Sequence, residues 1–453
     1  MLTPSPGGTS SALLLYFGVV RIVAIVAALL AVVGAQASQP AARPLVGLKA
    51  PEGPLLGMVW IGRDAEIVPL DATTLEPAGA ALPITEGGAF GYSPDRSQLA
   101  LGAVNPPRVR FVDVAPLKVV RSVQLGRIGN VDRIDWLGAG AAVVLYAAPD
   151  GTRIAWVDPT TGEVSKRVRL GVTPYQAVTG GGRLVLLLPP RKGIGTARLE
   201  IVGADERTRV VRLPKIRIGS TMPGARTAFR RIQPGLALDA STGHAYVVGT
   251  DSVVADVDVR SLRVSNHSLV RRSLAARIGA WLVPAAEAKA LAGPALDARW
   301  LGDGLIAVAG TSYSVTFGKD SETQSATPLG LRVVDVRTWT QRTLDAGADG
   351  FAVGNDALLA YGVRSKFGTT APPVVSGMGV AAYGTDGSAR FHLLPTVPVG
   401  SLQVNGSLAY GWLVDPETPS WHLVVLDVAA GMVVRDVRLA HPTRLLISDN
   451  SFF

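Results

Sequence analysis

The sequence predicts an all-β protein, a β-propeller of four-stranded blades, on three observations. An apolar strand ending in Asp and followed by a turn recurs at Asp71, Asp113, Asp158, Asp205, Asp258, Asp335, Asp386 and Asp427, with degenerate copies at Asp205 and Asp386. The intervals are 42, 45, 47, 53, 77, 51 and 41 residues; a period of roughly 40–50 with four strands per unit marks a propeller. Within one period, Val131–Leu170 reads as four short strands. They are broken at Gly138-Ala139-Gly140, Pro149-Asp150-Gly151 and Pro159-Thr160-Thr161-Gly162, and runs this short with such punctuation are strands rather than helices. Composition agrees: 48% apolar and 17% charged residues supply a buried core, and 51 Gly with 31 Pro supply tight turns.

In chain order, residues 1–37 come first and read as a secretory signal. Ala12–Ala35 is apolar except for Arg21, and Ala35-Gln36-Ala37 is a cleavage signal before Ser38. The alternative is a membrane anchor over residues 12–35, long enough to cross a bilayer if Arg21 is tolerated. Residues 38–54 are Pro/Ala-rich and read as a linker to a single propeller domain at 55–453. The expected location is secreted or extracytoplasmic, with membrane contact only through an uncleaved N-terminus.

The first repeat supplies only three strands, Gly57–Gly62, Ala65–Asp71 and Ala78–Pro83. Later repeats each begin with a strand and a tight turn, at Pro94-Asp95, Gly138–Gly140, Gly180–Gly182, Ser241–Gly243, Gly302–Gly304, Gly354–Asp356 and Asn405-Gly406. The missing strand lies at the other end of the chain, where Thr443–Ile447 precedes the turn residues Ser448-Asp449-Asn450. Pairing it with the first repeat closes the ring and covers both exposed edges. The count is eight blades, or seven if one degenerate repeat is not a blade.

Four insertions interrupt the repeat: 214–231 and 270–294 between blades, and 311–328 and 364–377 between second and third strands. Antiparallel strand order puts all four on one face, where function in repeat folds gathers. Within 270–294, Leu274, Ile278, Trp281 and Leu282 have helical spacing, with Ser273 as N-cap and Pro284 as terminator, which predicts a short docked helix. Arg207, Arg209, Arg212, Lys215, Arg217, Arg226, Arg230 and Arg231 form the densest basic run; a solvated face is its default reading.

Catalytic signatures are absent from the sequence. There is no cysteine, hence no disulfide, thiolate ligand or thiol nucleophile. The five histidines are His244, His267, His392, His422 and His441, and no two have metal-pair spacing. No nucleophile elbow, P-loop or dinucleotide fingerprint occurs. No metal or cofactor is expected. The net charge of +9 permits an anionic partner, but aromatics are only 6% and no RNA-binding signature occurs, so no nucleic acid is expected. First strands line the central channel, and the residues at their starts on the insertion face are Asp132, Tyr175, Arg231, Asp297, Arg299, Asp349 and His441. This ring is the candidate ligand site; the bland alternative is that these groups merely hydrate the channel.

Leu236–Val264, LALDASTGHAYVVGTDSVVADVDVRSLRV, resembles YVTN-type bacterial propeller repeats, and FGYSPDRSQLA at Phe90–Ala100 is similar to the S-P-D turn of Tol-system-like propellers. The resemblance covers most of residues 55–453 and implies fold rather than activity. Asp158–Gly162 is similar to a turn of quinoprotein-type eight-blade repeats, but their recurring Trp signature is missing, so no quinone cofactor is implied. The leading functional expectation is an exported, monomeric, non-catalytic propeller that binds a protein, peptide or anionic envelope component on its insertion face. The alternative is a propeller-type hydrolase or lactonase, which needs at least three metal-binding groups converging at the channel mouth.

Overall fold

The computed structural model describes residues 48–447 except 63, 86, 222–229, 270–290, 318–321, 369–372, 385 and 415–420. The signal or anchor segment and the helix expected after Ser273 lie outside the described residues. Every regular element described is a β-strand, and among the described residues the strands pair into successive antiparallel four-strand units. These are blades one (Leu56–Ile84 with Thr443–Leu445), two (Phe90–Gln124), three (Val131–Arg169), four (Gln176–Thr221, with Arg230–Ile232 as a fifth strand), five (Gly235–Ser268), six (Leu291–Asp345), seven (Gly350–Leu393) and the last (Val399–Arg438). The units of Leu291–Asp345 and Gly350–Leu393 are joined into one nine-stranded sheet.

Among the described residues an apolar core lies at each junction between consecutive units, and one joins the last unit to the first. Such an arrangement explains the apolar run of the second strands. In Ala142–Ala148, Ala142, Val144 and Tyr146 enter the core shared with the preceding blade. Val143 and Leu145 enter the core shared with the following one. A strand buried on both faces has no polar alternation to show. The outermost strand Val164–Arg169 borders solvent and keeps Lys166, Arg167 and Arg169 exposed.

Ring closure occurs where expected. Thr443–Leu445 pairs antiparallel with Leu56–Ile61 through Gly57↔Leu445, Met58↔Arg444 and Val59↔Thr443. Leu445, Leu446 and Ile447 are buried, so apolar burial as well as ladder bonding fastens the tail. The outermost strand of this blade is Leu82–Ile84, shorter than expected, and upstream of it Ala78 donates to the Pro69 carbonyl beside an antiparallel bridge between Leu70 and Pro77. The chain also docks earlier than its composition implies. Leu48 is buried, and backbone bonds link Leu48 to Asp356 and Pro51 to Gly406, while the Asn405 side chain donates to Gly53. Residues 48–53, expected as linker, therefore strap the first turns of the last two blades.

The recurring Asp is a turn device. Asp158 Oδ1 accepts from the amides of Thr160 and Thr161, Asp258 Oδ1 from Arg260 and Ser261, and Asp427 Oδ1 from Ala429 and Ala430. The copies at Asp205 and Asp386 keep the bond two residues on. Asp113 differs: it accepts from the Gln98 side chain, and the residue three places on is Pro116, which has no amide hydrogen to give.

Candidate functional site: the channel mouth under the insertions

The described parts of the four insertions are strands rather than loops. Leu291–Leu296 pairs with Gly310–Val315, and the same second strand continues against Glu322–Pro328. Thr323–Ala326 then pairs with Ser365–Gly368 of the next blade, whose strand turns back through Val374–Gly377. At the other end, Gly219–Thr221 pairs with Arg230–Ile232. Gln233 joins this hairpin to the rest, donating its amide to Pro294 and accepting at its carbonyl from Leu296, at 3.0 and 2.8 Å. The result is one hydrogen-bonded arc above blades four to seven. Glu322–Pro328 is polar on both faces and Leu291–Leu296 is broken by Gly293-Pro294, so of these segments only Thr311–Phe317 shows the period-two signal of a half-buried strand, Tyr313, Val315 and Phe317 alternating with Ser312, Ser314 and Thr316.

Below the arc, the predicted mouth residues fall into groups. Tyr175 precedes the first strand of blade four, and the Arg231 guanidinium lies 5.4 Å from its ring centroid. That guanidinium also donates to Gln233 Oε1. Gln176, not singled out in the sequence, follows Tyr175. Its side chain donates to the Leu296 carbonyl at 2.6 Å and accepts from the Leu236 amide at 2.5 Å. One glutamine thus ties together the first strands of blades four, five and six.

The next group belongs to blades six and seven. Asp297 and Arg299 alternate with Leu296 and Ala298, which are buried against blade five. The charged pair keeps solvent-accessible surface, yet protein surrounds it closely enough to disfavour both charges. Burial pushes the Asp297 carboxyl up, partly offset by the Ala298 amide and Arg299, and pushes the Arg299 guanidinium down. A group opening on a narrow channel shows both properties, since it is wetted but far from bulk water. Asp349 is pushed up to about 6 by burial, although it accepts from the Val363 amide at 3.2 Å and from Thr311.

Tyr361 is the second residue the sequence did not reveal. It sits opposite Gly350 in the ladder, and its ring crosses the space a side chain there would fill: a Cβ on Gly350 would lie 2.5 Å from the Tyr361 hydroxyl. Burial raises its phenol, and the charges of Asp349 and Asp297 raise it further, which places both carboxylates in the neighbourhood of one hydroxyl. Its only advance signal is the glycine at position 350, beside the predicted Asp349.

The remaining two predicted residues belong to other blades. Asp132 occupies a register irregularity between Val131 and Arg133, and burial raises its carboxyl. His441 is exposed next to the closing strand. Nearby on that strand, Arg444 donates to the Gly88 carbonyl and lies over Phe90. In blade three, Arg133 and Asp135 form a buried ion pair, and Thr179 of blade four donates to Asp135. Among the described residues no group of three or more His, Cys, Asp or Glu is placed to hold a metal ion. The hydrolase alternative requires such a group.

No protein-family model matches the chain, and no curated protein matches it. Solved structures do. Dihydro-heme d1 dehydrogenase NirN in complex with DHE aligns at a TM-score of 0.51 and 14% identity, over 92% of this chain and 79% of that one. The β-propeller domain of Cps50 (Swd1) from Myceliophteria thermophila aligns at 0.38 and 11% identity, over 78% of this chain and 87% of that one. Hsv2 from Kluyvelomyces marxianus aligns at 0.39 and 11%, over 72% and 92%. At these identities likeness speaks to fold alone. The chain has the β-propeller fold.

Proposed function

We propose that the protein is an exported, non-catalytic β-propeller that binds a protein, peptide or anionic envelope ligand at the channel mouth beneath the insertion arc. One observation carries the reading: the described insertions join into a continuous arc over the same four blades that hold Tyr175, Arg231, Asp297, Arg299 and Asp349. Evolution of a bare scaffold gives no reason to place desolvated charges under an arc of added strands. Ligand groups that complement them would repay part of that cost. The export part of the reading rests on Arg21 and the Ala35-Gln36-Ala37 signal. No helix among the described residues is long and apolar enough to cross a membrane.

The experiment compares partner capture from envelope extract by the intact protein and by a variant with residues 314–325 and 366–374 replaced by tight turns. The proposal expects loss of the captured species in the variant. Equal recovery from a variant that retains its thermal transition contradicts it. N-terminal sequencing of the mature protein tests export separately, with Ser38 as the expected first residue.

A further inference from the structure

The basic run at 207–231 acquires a shape in the structure that its sequence does not display. Along the outer strand of blade four, Leu213, Ile216 and Ile218 enter the core shared with blade five. Arg212 and Arg217, paired in the ladder with Arg198 and Thr196, are exposed on the opposite flank, toward blade three, and Lys215 is exposed in the irregular stretch between them. The neighbouring strand divides in the same way: Leu199 and Ile201 enter the blade-five core, leaving Arg198 on the flank with Arg212. Arg198 and Arg212 are direct cross-strand partners. Two like charges directly opposite in a ladder destabilise it.

Arg191 and Lys192 extend the patch at its upper end, both exposed. The Gly193 carbonyl touches the position of a Cβ on Gly219, and the Arg191 guanidinium reaches within 3.9 Å of the equivalent position on Gly171 of blade three. These contacts set Arg191 on the same flank as the other cations. Among the described residues, none of the six has an ion-pair or hydrogen-bonded carboxylate partner. Asp150, at the blade-three turn, is engaged by Arg153 and Arg169. Glu200, two residues from Arg198 on the same face of the strand, is buried; burial favours its neutral acid, partly offset by the charge of Arg198.

We propose that this flank of blade four, Arg191, Lys192, Arg198, Arg212, Lys215 and Arg217, is a binding site for an anionic polysaccharide. Repulsion between Arg198 and Arg212 is relieved when a polymer of closely spaced carboxylates lies along the strand. Arg217 follows on the same face of the ladder, with the exposed Lys215 in the irregular stretch before it, so the patch is a strip rather than a socket. A nucleic acid fits less well, because the flank offers no exposed aromatic side chain on which bases could stack. A lipid surface fits less well too, since Val210 is the one large apolar side chain exposed on this strand. The strip lies on the propeller's side rather than at the channel mouth, so it stands independently of the function proposed above.

The test measures binding of polygalacturonate, with uncharged dextran, single-stranded DNA and anionic phospholipid vesicles as comparisons. Wild type is expected to bind polygalacturonate, and to lose about tenfold or more in affinity between 50 and 200 mM salt by counterion release. The double variant Arg198→Gln/Arg212→Gln is expected to bind at least about tenfold more weakly at low salt. The same variant is expected to melt no lower than wild type in low salt, because it removes a repulsion. Undiminished binding by the variant overturns the proposal, as does binding of DNA or vesicles more tightly than polygalacturonate. A folded wild type that binds none of the polyanions also overturns it.

Discussion

At the scale of single residues, the recurring Asp and the mouth carboxylates sit at opposite electrostatic extremes. Asp258 accepts two backbone amides and the Ser261 hydroxyl, which hold its carboxyl down to about 2. Its stabilising effect is present above the ordinary carboxylate range and is lost as pH falls toward 2. Asp258→Ala should cost about 1 kcal/mol at pH 7, a figure reduced by solvent screening, with the difference shrinking below pH 4 in acid unfolding curves. Asp349 has the reverse sign. Its carboxyl is raised to about 6, so the folded state is favoured below the unfolded value near 4 and penalised as pH rises through 6. Asp349→Asn should therefore stabilise the protein at pH 7.5 by on the order of 2 kcal/mol and have little effect at pH 4, as read by thermal melting. Glycines near the mouth differ in the same concrete way. A Cβ on Gly293 meets the backbone carbonyl of Arg231 at 1.8 Å, whereas one on Gly350 meets the movable ring of Tyr361. Gly293→Ala should destabilise by about 1–3 kcal/mol, and Gly350→Ala by less, while displacing Tyr361 from the channel. Chemical denaturation of the two variants distinguishes these outcomes.

At the scale of elements, strands buried on both faces were legible because they are apolar throughout, and outer strands because they alternate. The arc was not. Glu322–Pro328 carries polar residues on both faces, so nothing in its pattern separates a strand from a loop; Thr311–Phe317 does alternate, with Tyr313, Val315 and Phe317 against Ser312, Ser314 and Thr316, but that signal is confined to one strand of the arc. For Glu322–Pro328, only pairing with Thr311–Phe317 and with Ser365–Gly368 decides it. Residues 48–53 show a similar limit: their composition is that of a linker, and their backbone groups find partners on distant turns. The closing strand was legible because the first repeat lacks one strand and the tail has one to spare. Deleting residues 441–453 removes Leu445, Leu446 and Ile447 from the core and bares the edge of Leu56–Ile61. At roughly 2 kcal/mol for each buried side chain, the loss is comparable to the stability of many domains. The truncated protein should lose its cooperative urea transition and aggregate, whereas deletion of 448–453 alone should leave the transition in place.

At the scale of the whole molecule, the sequence marks where mouth residues begin but not which of them meet. Seven positions were named from their place at strand starts. Tyr175 and Arg231 came together, as did the Asp297–Arg299 and Asp349 region, while Asp132 and His441 belong to other blades. Proximity of that kind is set by register and by side chains such as Gln176 and Tyr361 that cross between strands. No one-dimensional pattern records it. The most direct test of mouth binding is retention of the captured partner between pH 5 and 7.5 by wild type and by Asp349→Asn, in protein that remains folded throughout. Retention by wild type should change with a midpoint near 6, and the variant should lose that change; identical pH profiles for the two proteins would contradict binding at the mouth.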